Sequence, residues 1–190
     1  MSIREVASGV YREALPALAA SALGGLLAGV VLSGMRAELR SVSGLLVLVP
    51  ALLATRGNVY GSLGARLSTG LHQGIVEPRF DLGEVRARRA VAASLANGLL
   101  ASAFAAAVAY AVLVGLGRPV APLAVLLSIA LLAGLLSGVT LAVAVVLVVF
   151  SGYRRGVDPD TLVGPIVTTT GDVFGIAFLL LAVRLVVGGG

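Results

Sequence analysis

Asp172 stands in the stretch "TTTGDVFG", and no other charged residue lies between Thr161 and Val183. On a helix, spacings of three and four residues put Pro165, Thr168, Thr169 and Ile176 on its face. Pro165 has no N–H to donate, which frees a carbonyl one turn earlier, near Thr161. Threonine hydroxyls, a loosened carbonyl and one carboxylate make an all-oxygen surface. Hard cations such as Mg²⁺ or Ca²⁺ favour such ligands, and Mg²⁺ keeps several of its waters. The same carboxylate also suits proton coupling, or a structural pairing with a buried arginine. An aspartate at mid-bilayer costs roughly 2.5–3.5 kcal/mol on insertion scales, and intramembrane acids generally mark pathways. Gly164, Gly171 and Gly175 form a small-residue stripe beside it, suited to close helix packing.

A second polar group lies in "VPALLATRGNVYGSLGARLSTG", residues 49–70. Pro50, Gly57, Gly61 and Gly64 thin or loosen this helix. Asn58 presents an amide toward the same side as Ala65 and Thr69, and fits both an interhelical hydrogen bond and a ligand role. Arg66 is near one end and snorkels. Arg56 lies too deep for that. It can neutralise Asp172 directly, or meet Glu38 near the outer surface if the helix breaks at Gly57.

These residues need apolar helices to carry them. The chain has 190 residues, 58% of them hydrophobic and 12% charged, too few charges to cover a soluble domain of this length. Several uncharged stretches reach the roughly 20 residues that cross a hydrocarbon core. The expected fold is an all-α membrane protein with five transmembrane helices. The spans run from about Leu15 to Ser33, Ser43 to Leu71, Ala90 to Leu116, Pro122 to Phe150, and from Asp158–Pro159 to Val187. Proline at the first helical position marks the start of the last one. Its rise of 1.5 Å per residue puts Asp172 about 21 Å from Asp158 and about 18 Å from Arg184.

Residues 1–14 alternate charges with Ile3, Val6, Val10 and Tyr11 and read as an amphipathic interfacial helix. Residues 15–187 form one membrane domain and 188–190 a tail. The first apolar segment has no convincing cleavage site and is longer than a signal-peptide core, so it reads as a retained span. No cysteine is present, and a single histidine excludes most His-based metal constellations. The basic residues are all arginine and cluster at the predicted membrane edges, which sets topology and argues against a nucleic-acid partner. With the N-terminus cytoplasmic, the inside holds Arg4, Arg12, Arg79, Arg86, Arg88, Arg89, Arg154 and Arg155. The outside holds Arg36, Arg40 and Arg118, with Arg184 near the last helix end. That bias favours a cytoplasmic N-terminus and an outside C-terminus. Asp158 and Asp160 then lie at the inner mouth, as cation-concentrating or helix-capping groups.

The segments "VPALLATRGN…ARLSTG" and "DPDTLVGPIVTTTGD" together resemble the magnesium transporter family that joins bacterial MgtE membrane domains to eukaryotic magnesium solute carriers. The first is closest to the solute-carrier version, and the Asp-Pro, Gly-Pro, threonine and aspartate pattern is shared with both branches. The resemblance implies a pore between the second and fifth spans of a two-fold dimer. It makes Asp172 the principal cation carboxylate, has Asn58 line the path, and completes the metal site at Thr168 and Thr169, with Mg²⁺ the transported ion. Solute-carrier relatives hold two such domains in one chain, so a homodimer is expected here. MgtE-like proteins read Gly-Gly-Asn where this chain has Arg56-Gly57-Asn58. The 190 residues hold no counterpart of the MgtE cytoplasmic gating module, so gating through that module is not carried over. A separate cytoplasmic regulatory protein is one candidate partner, and the mode of regulation stays open. The sequence leaves channel or exchanger open. It also leaves room for a proton- or sodium-coupled small-solute permease, and for a non-transporting membrane scaffold in which Arg56 pairs with Asp172.

Overall fold

The computed structural model describes residues 3–79 and 84–188. Every regular element among them is helical: α1 (Ile3–Gly34), α2 (Arg36–Ser41), α3 (Leu45–His72), α4 (Val85–Gly115), α5 (Leu123–Arg154) and α6 (Pro159–Gly188). A bilayer core offers the backbone no partner, so long helices that satisfy their own hydrogen bonds follow from such apolar runs. Four of them, α3, α4, α5 and α6 from Leu162, are long and apolar enough to cross a membrane. The described apolar part of α1, Leu18–Gly34, is shorter than these four.

α1 is continuous from Ile3 to Gly34, with no break where an interfacial helix was expected to give way to a span near residue 15. The side chains that would make residues 1–14 amphipathic, the loop tip at 80–83, the Asp160 side chain and the tail at 189–190 lie outside the described residues. The short α2 follows a turn at Met35, and α3 opens at Gly44, whose φ of 97° is a left-handed conformation that glycine adopts without strain. The far end of α5 closes in the same manner. Gly156 takes φ 70°, its N–H reaches the Tyr153 carbonyl at 3.1 Å, and the Val157 N–H reaches Gly152 at 3.0 Å. This pair of bonds satisfies the carbonyls a helix end leaves open and turns the chain into α6.

α5 is the central element, in contact with α3, α4 and α6, while α1 packs on α6. Neither internal proline interrupts its helix: α3 runs through Pro50 and α6 through Pro165. Two apolar clusters are stacked along the bundle axis. The first joins Leu45, Leu48 and Leu52 of α3 to Ile129 and Ala133 of α5 and to Ile176 and Leu179 of α6. The second joins Tyr60, Leu63 and Leu67 to Leu141, Val145 and Val149 and to Val163 and Val167.

Between the clusters each helix changes character. α3 supplies Arg56, α4 Gly98 and Ser102, α5 Gly134, Ser137 and Gly138, and α6 Gly171, Asp172 and Gly175. The serines spend their hydroxyls on their own helices, Ser102 on the Gly98 carbonyl at 2.8 Å and Ser137 on that of Ala133 at 2.5 Å. Tyr60 reaches in from the second cluster against Gly98 and Gly138, where any Cβ would meet its hydroxyl. A belt of small and polar residues thus separates two leucine- and valine-rich blocks.

Candidate cation site

Two close approaches fix the register of α3 against α6. A Cβ at Gly64 would collide with the branched side chain of Val163. A Cβ at Gly175 would lie 2.5 Å from Arg56 Nη1 and 3.1 Å from Leu53 Cδ2. The helices are therefore antiparallel along this seam, and interpolating between the contacts brings Asp172 level with Gly57 and Asn58. Asp172 is half-buried and Asn58 exposed.

From Ala54 on, the exposed positions of α3 are Ala54, Gly57, Asn58, Ser62, Ala65, Arg66, Thr69 and His72, and nearer its start Leu46, Val47 and Pro50 are exposed as well. The stretch from Ala54 to Thr69 is small or polar at every exposed position. Gly57 and Gly61 have no neighbour within 4 Å of an added Cβ, so they thin the outer surface and make no packing contact. The accessible face of α6 continues this chemistry with Gly164 and Thr168. Ser62 donates to the Asn58 carbonyl at 2.8 Å, and Thr168 to that of Gly164 at 3.0 Å, so both hydroxyl oxygens keep a free lone pair.

Of the four expected site residues, Asp172 and Asn58 reach the same level and Thr168 lies one turn away on the accessible side. Thr169 diverges. It packs against Gly24 of α1, and its hydroxyl is sealed there with no hydrogen-bond partner. Adjacent residues on a helix point about 100° apart, so Thr168 and Thr169 face different surroundings although both share helical spacing with Asp172.

Arg56 is only 4% exposed, and its Nε and Nη2 have no hydrogen-bond partner. Neither pairing expected from the sequence forms. Glu38 takes Arg184 instead, Nε to Oε1 at 2.9 Å, and α3 does not break at Gly57. A hydrogen bond from its own backbone N–H and then the one from Arg184 hold the Glu38 carboxyl below its ordinary range. No ion pair joins Arg56 to Asp172 among the described residues. The niche at Gly175 was not foreseen, because the sequence does not say which α6 residue lies opposite Arg56.

The end of the site toward the α3 C-terminus is basic. A cavity of about 450 Å³ between α3 and α4 is lined by Arg66, Thr69, Gln73 and Arg86, among others. Arg86 Nη1 donates to the Ile75 carbonyl at 2.7 Å. Among the described residues no cluster of three or more His, Cys, Asp or Glu side chains is placed to hold a metal. One chain thus offers a divalent ion a single carboxylate with neutral oxygen donors around it.

The fold is an all-helical bundle with four helices long and apolar enough to cross a membrane and a half-buried carboxylate midway along one of them. Residues 49–182 match MgtE, a family of divalent cation transporters, and the chain belongs to that family. It is also similar to solute carrier family 41 member 3 of Rattus norvegicus, with 28% identity over 93% of this chain. The chain spans 38% of that relative's length.

Proposed function

We propose that this protein is a multi-pass cell-membrane transporter for divalent cations, Mg²⁺ foremost, and not an enzyme. In this reading α1 is the first of five spans, the N-terminus is cytoplasmic and the C-terminus outside. Two copies face each other across α3 and α6, and the cation passes between them on Asp172 with Asn58 and Thr168 as oxygen donors. The observation that carries the reading is the level placement of Asp172 with Asn58 on an outward stripe of small and polar residues. Lipid is a poor neighbour for such a stripe, and a second copy turns it into the wall of a path. Mg²⁺ prefers an octahedral shell and retains water, so two carboxylates with a few neutral oxygens suffice to hold it. Two-fold pairing supplies the second carboxylate without further sequence.

The rival readings draw less support. A scaffold built on an Arg56–Asp172 pair lacks that pair. A small-solute permease needs an apolar pocket at its coupling acid. The apolar groove of about 230 Å³ is lined by α4 and α5 residues such as Leu95, Val139 and Val143 and does not include Asp172.

In liposomes, Asp172→Ala is expected to bring Mg²⁺ flux down to the protein-free background while cross-linking still recovers the dimer. Wild-type flux in that variant would remove Asp172 from the path. Orientation is tested with an impermeant thiol reagent on whole cells. A cysteine at Ser41 should react and one at Gln73 should be protected, and the opposite pattern would invert the topology.

A further inference from the structure

We propose that Arg56 is a tethered rival of the transported ion: its guanidinium alternates between the niche at Gly175 and the carboxylate of Asp172. The inference rests on the reading of Asp172 as the cation ligand and adds the mechanism by which the site lets its ion go.

A guanidinium keeps its charge inside proteins, and a buried charge without a counter-charge is strongly disfavoured. Arg56 is in that position, with Nε and Nη2 both sealed and unpartnered. The outer acid that might have served it, Glu38, is held by Arg184. Asp172 lies one turn before Gly175 on the helix Arg56 packs against, a rise of about 4.5 Å. That offset is within the sweep of a side chain with four torsions. A buried cation and a half-buried carboxylate thus sit on neighbouring turns of one seam without being joined.

Gly175 is what permits this parking position, since a Cβ there would fall 2.5 Å from Nη1. The obstructing group is the far end of a flexible side chain, so alanine at 175 displaces the guanidinium and leaves the helices in place. The arrangement has a purpose in transport. Two facing carboxylates that have just lost a dication repel one another, and the two guanidiniums, one from each copy, restore neutrality by swinging in. An arriving dication must in turn displace them. Arg56 therefore weakens apparent binding and speeds release, as suits a site that alternates between two cationic occupants.

The test is Mg²⁺ and Mn²⁺ binding to the purified full-length chain in detergent, by calorimetry. If, once two copies face each other without an ion, Arg56 leaves Gly175 for Asp172 about nine-tenths of the time, Arg56→Gln should lower the apparent dissociation constant about tenfold. Arg56→Lys, which keeps the charge, should stay near wild type. Gly175→Ala, which removes the niche, should shift binding the opposite way, to weaker affinity. Neither Arg56→Gln nor Gly175→Ala should alter binding in an Asp172→Asn background. Unchanged or weaker binding in Arg56→Gln, or a gain that persists without Asp172, overturns the proposal. Should Arg56→Gln not fold, unchanged or tighter binding in Gly175→Ala overturns it alone. Wild-type affinity in Asp172→Asn by itself overturns the cation site as well, which separates the two failures.

Discussion

Two outward faces of this bundle obey the same helical spacing and carry opposite chemistry. Along α5 the exposed large side chains are Leu131, Leu135, Val139, Val143 and Leu147, and along α4 they include Leu100, Phe104, Val108 and Val112, with Ala92, Ala93, Ala96 and Asn97 exposed nearer the start of α4. Along α3 the exposed positions between Gly57 and Thr69 are Gly57, Asn58, Ser62, Ala65, Arg66 and Thr69, while Leu46 and Val47 are exposed near its start. All three helices are long enough to span a membrane, so depth and length do not explain the difference. Large apolar side chains match lipid tails, whereas small ones allow close helix contact and polar ones need a partner. The large side chains of α4 and α5 suit lipid tails, whereas the Gly57–Thr69 stretch of α3 suits the partner surface or ion proposed above. Accessible area alone does not separate them.

The comparison is broken most decisively by a bulky residue placed on each face. Ala65→Trp should reduce Mg²⁺ flux to near background, or split the dimer on native mass measurement, with helix content unchanged. The matched Leu135→Trp should do neither. Equal behaviour of the two variants would make the faces equivalent and remove the case for an α3–α6 path. A smaller effect concerns the seam behind the outward stripe. Gly64→Leu pushes a side chain into β-branched Val163, which cannot yield easily, and should cost about 1–3 kcal/mol of stability. Gly57→Ala, with open space around it, should stay within about 0.5 kcal/mol. Thermal unfolding in detergent reads both, and a shared large loss would show that Gly57 also packs.

The smallest effect lies at the Glu38–Arg184 pair. The Glu38 carboxyl is held below its ordinary value of 4.5, so the stability it adds is complete above that value. It is lost as the pH falls through the lower folded value. Glu38→Gln should therefore lower the melting temperature slightly at neutral pH and leave it unchanged in strong acid. Because the Arg184 side chain is largely exposed, added salt should shrink the difference further.

How much of this was readable beforehand depended on whether a feature is local in the chain. The spans that became α3 and α6 matched the expected limits to within a few residues, because charge and proline mark where apolar runs stop. α4 begins at Val85 instead of near Ala90, since Arg86, Arg88 and Arg89 belong to the helix and Glu84 caps it, accepting from the Arg86 N–H at 3.0 Å. Arginine at a membrane edge does not end a helix, because its stem lies along the apolar surface while its head reaches water. Asp172 stood out for the same local reason, a lone charge in an apolar run. Features that depend on a distant neighbour were not readable. Gly57, Gly61 and Gly64 look alike in sequence, yet only Gly64 touches α6. Thr168 and Thr169 look alike as ligands, yet one faces outward and the other meets α1. The isolation of Arg56 required knowing that Arg184 had already taken Glu38.

The belt between the two apolar clusters has an electrical consequence. Asp172 lies near the middle of α6, so in the proposed orientation an ion bound there has crossed about half of any transmembrane voltage. Carrying one charge through the whole potential is worth about 2.3 kcal/mol per 100 mV, so a dication at half depth gains about the same amount, close to fiftyfold in occupancy. The resting potential of a cell thus becomes part of the affinity of this site. In the liposome assay, an imposed diffusion potential should move the half-saturating Mg²⁺ concentration as well as the maximal flux.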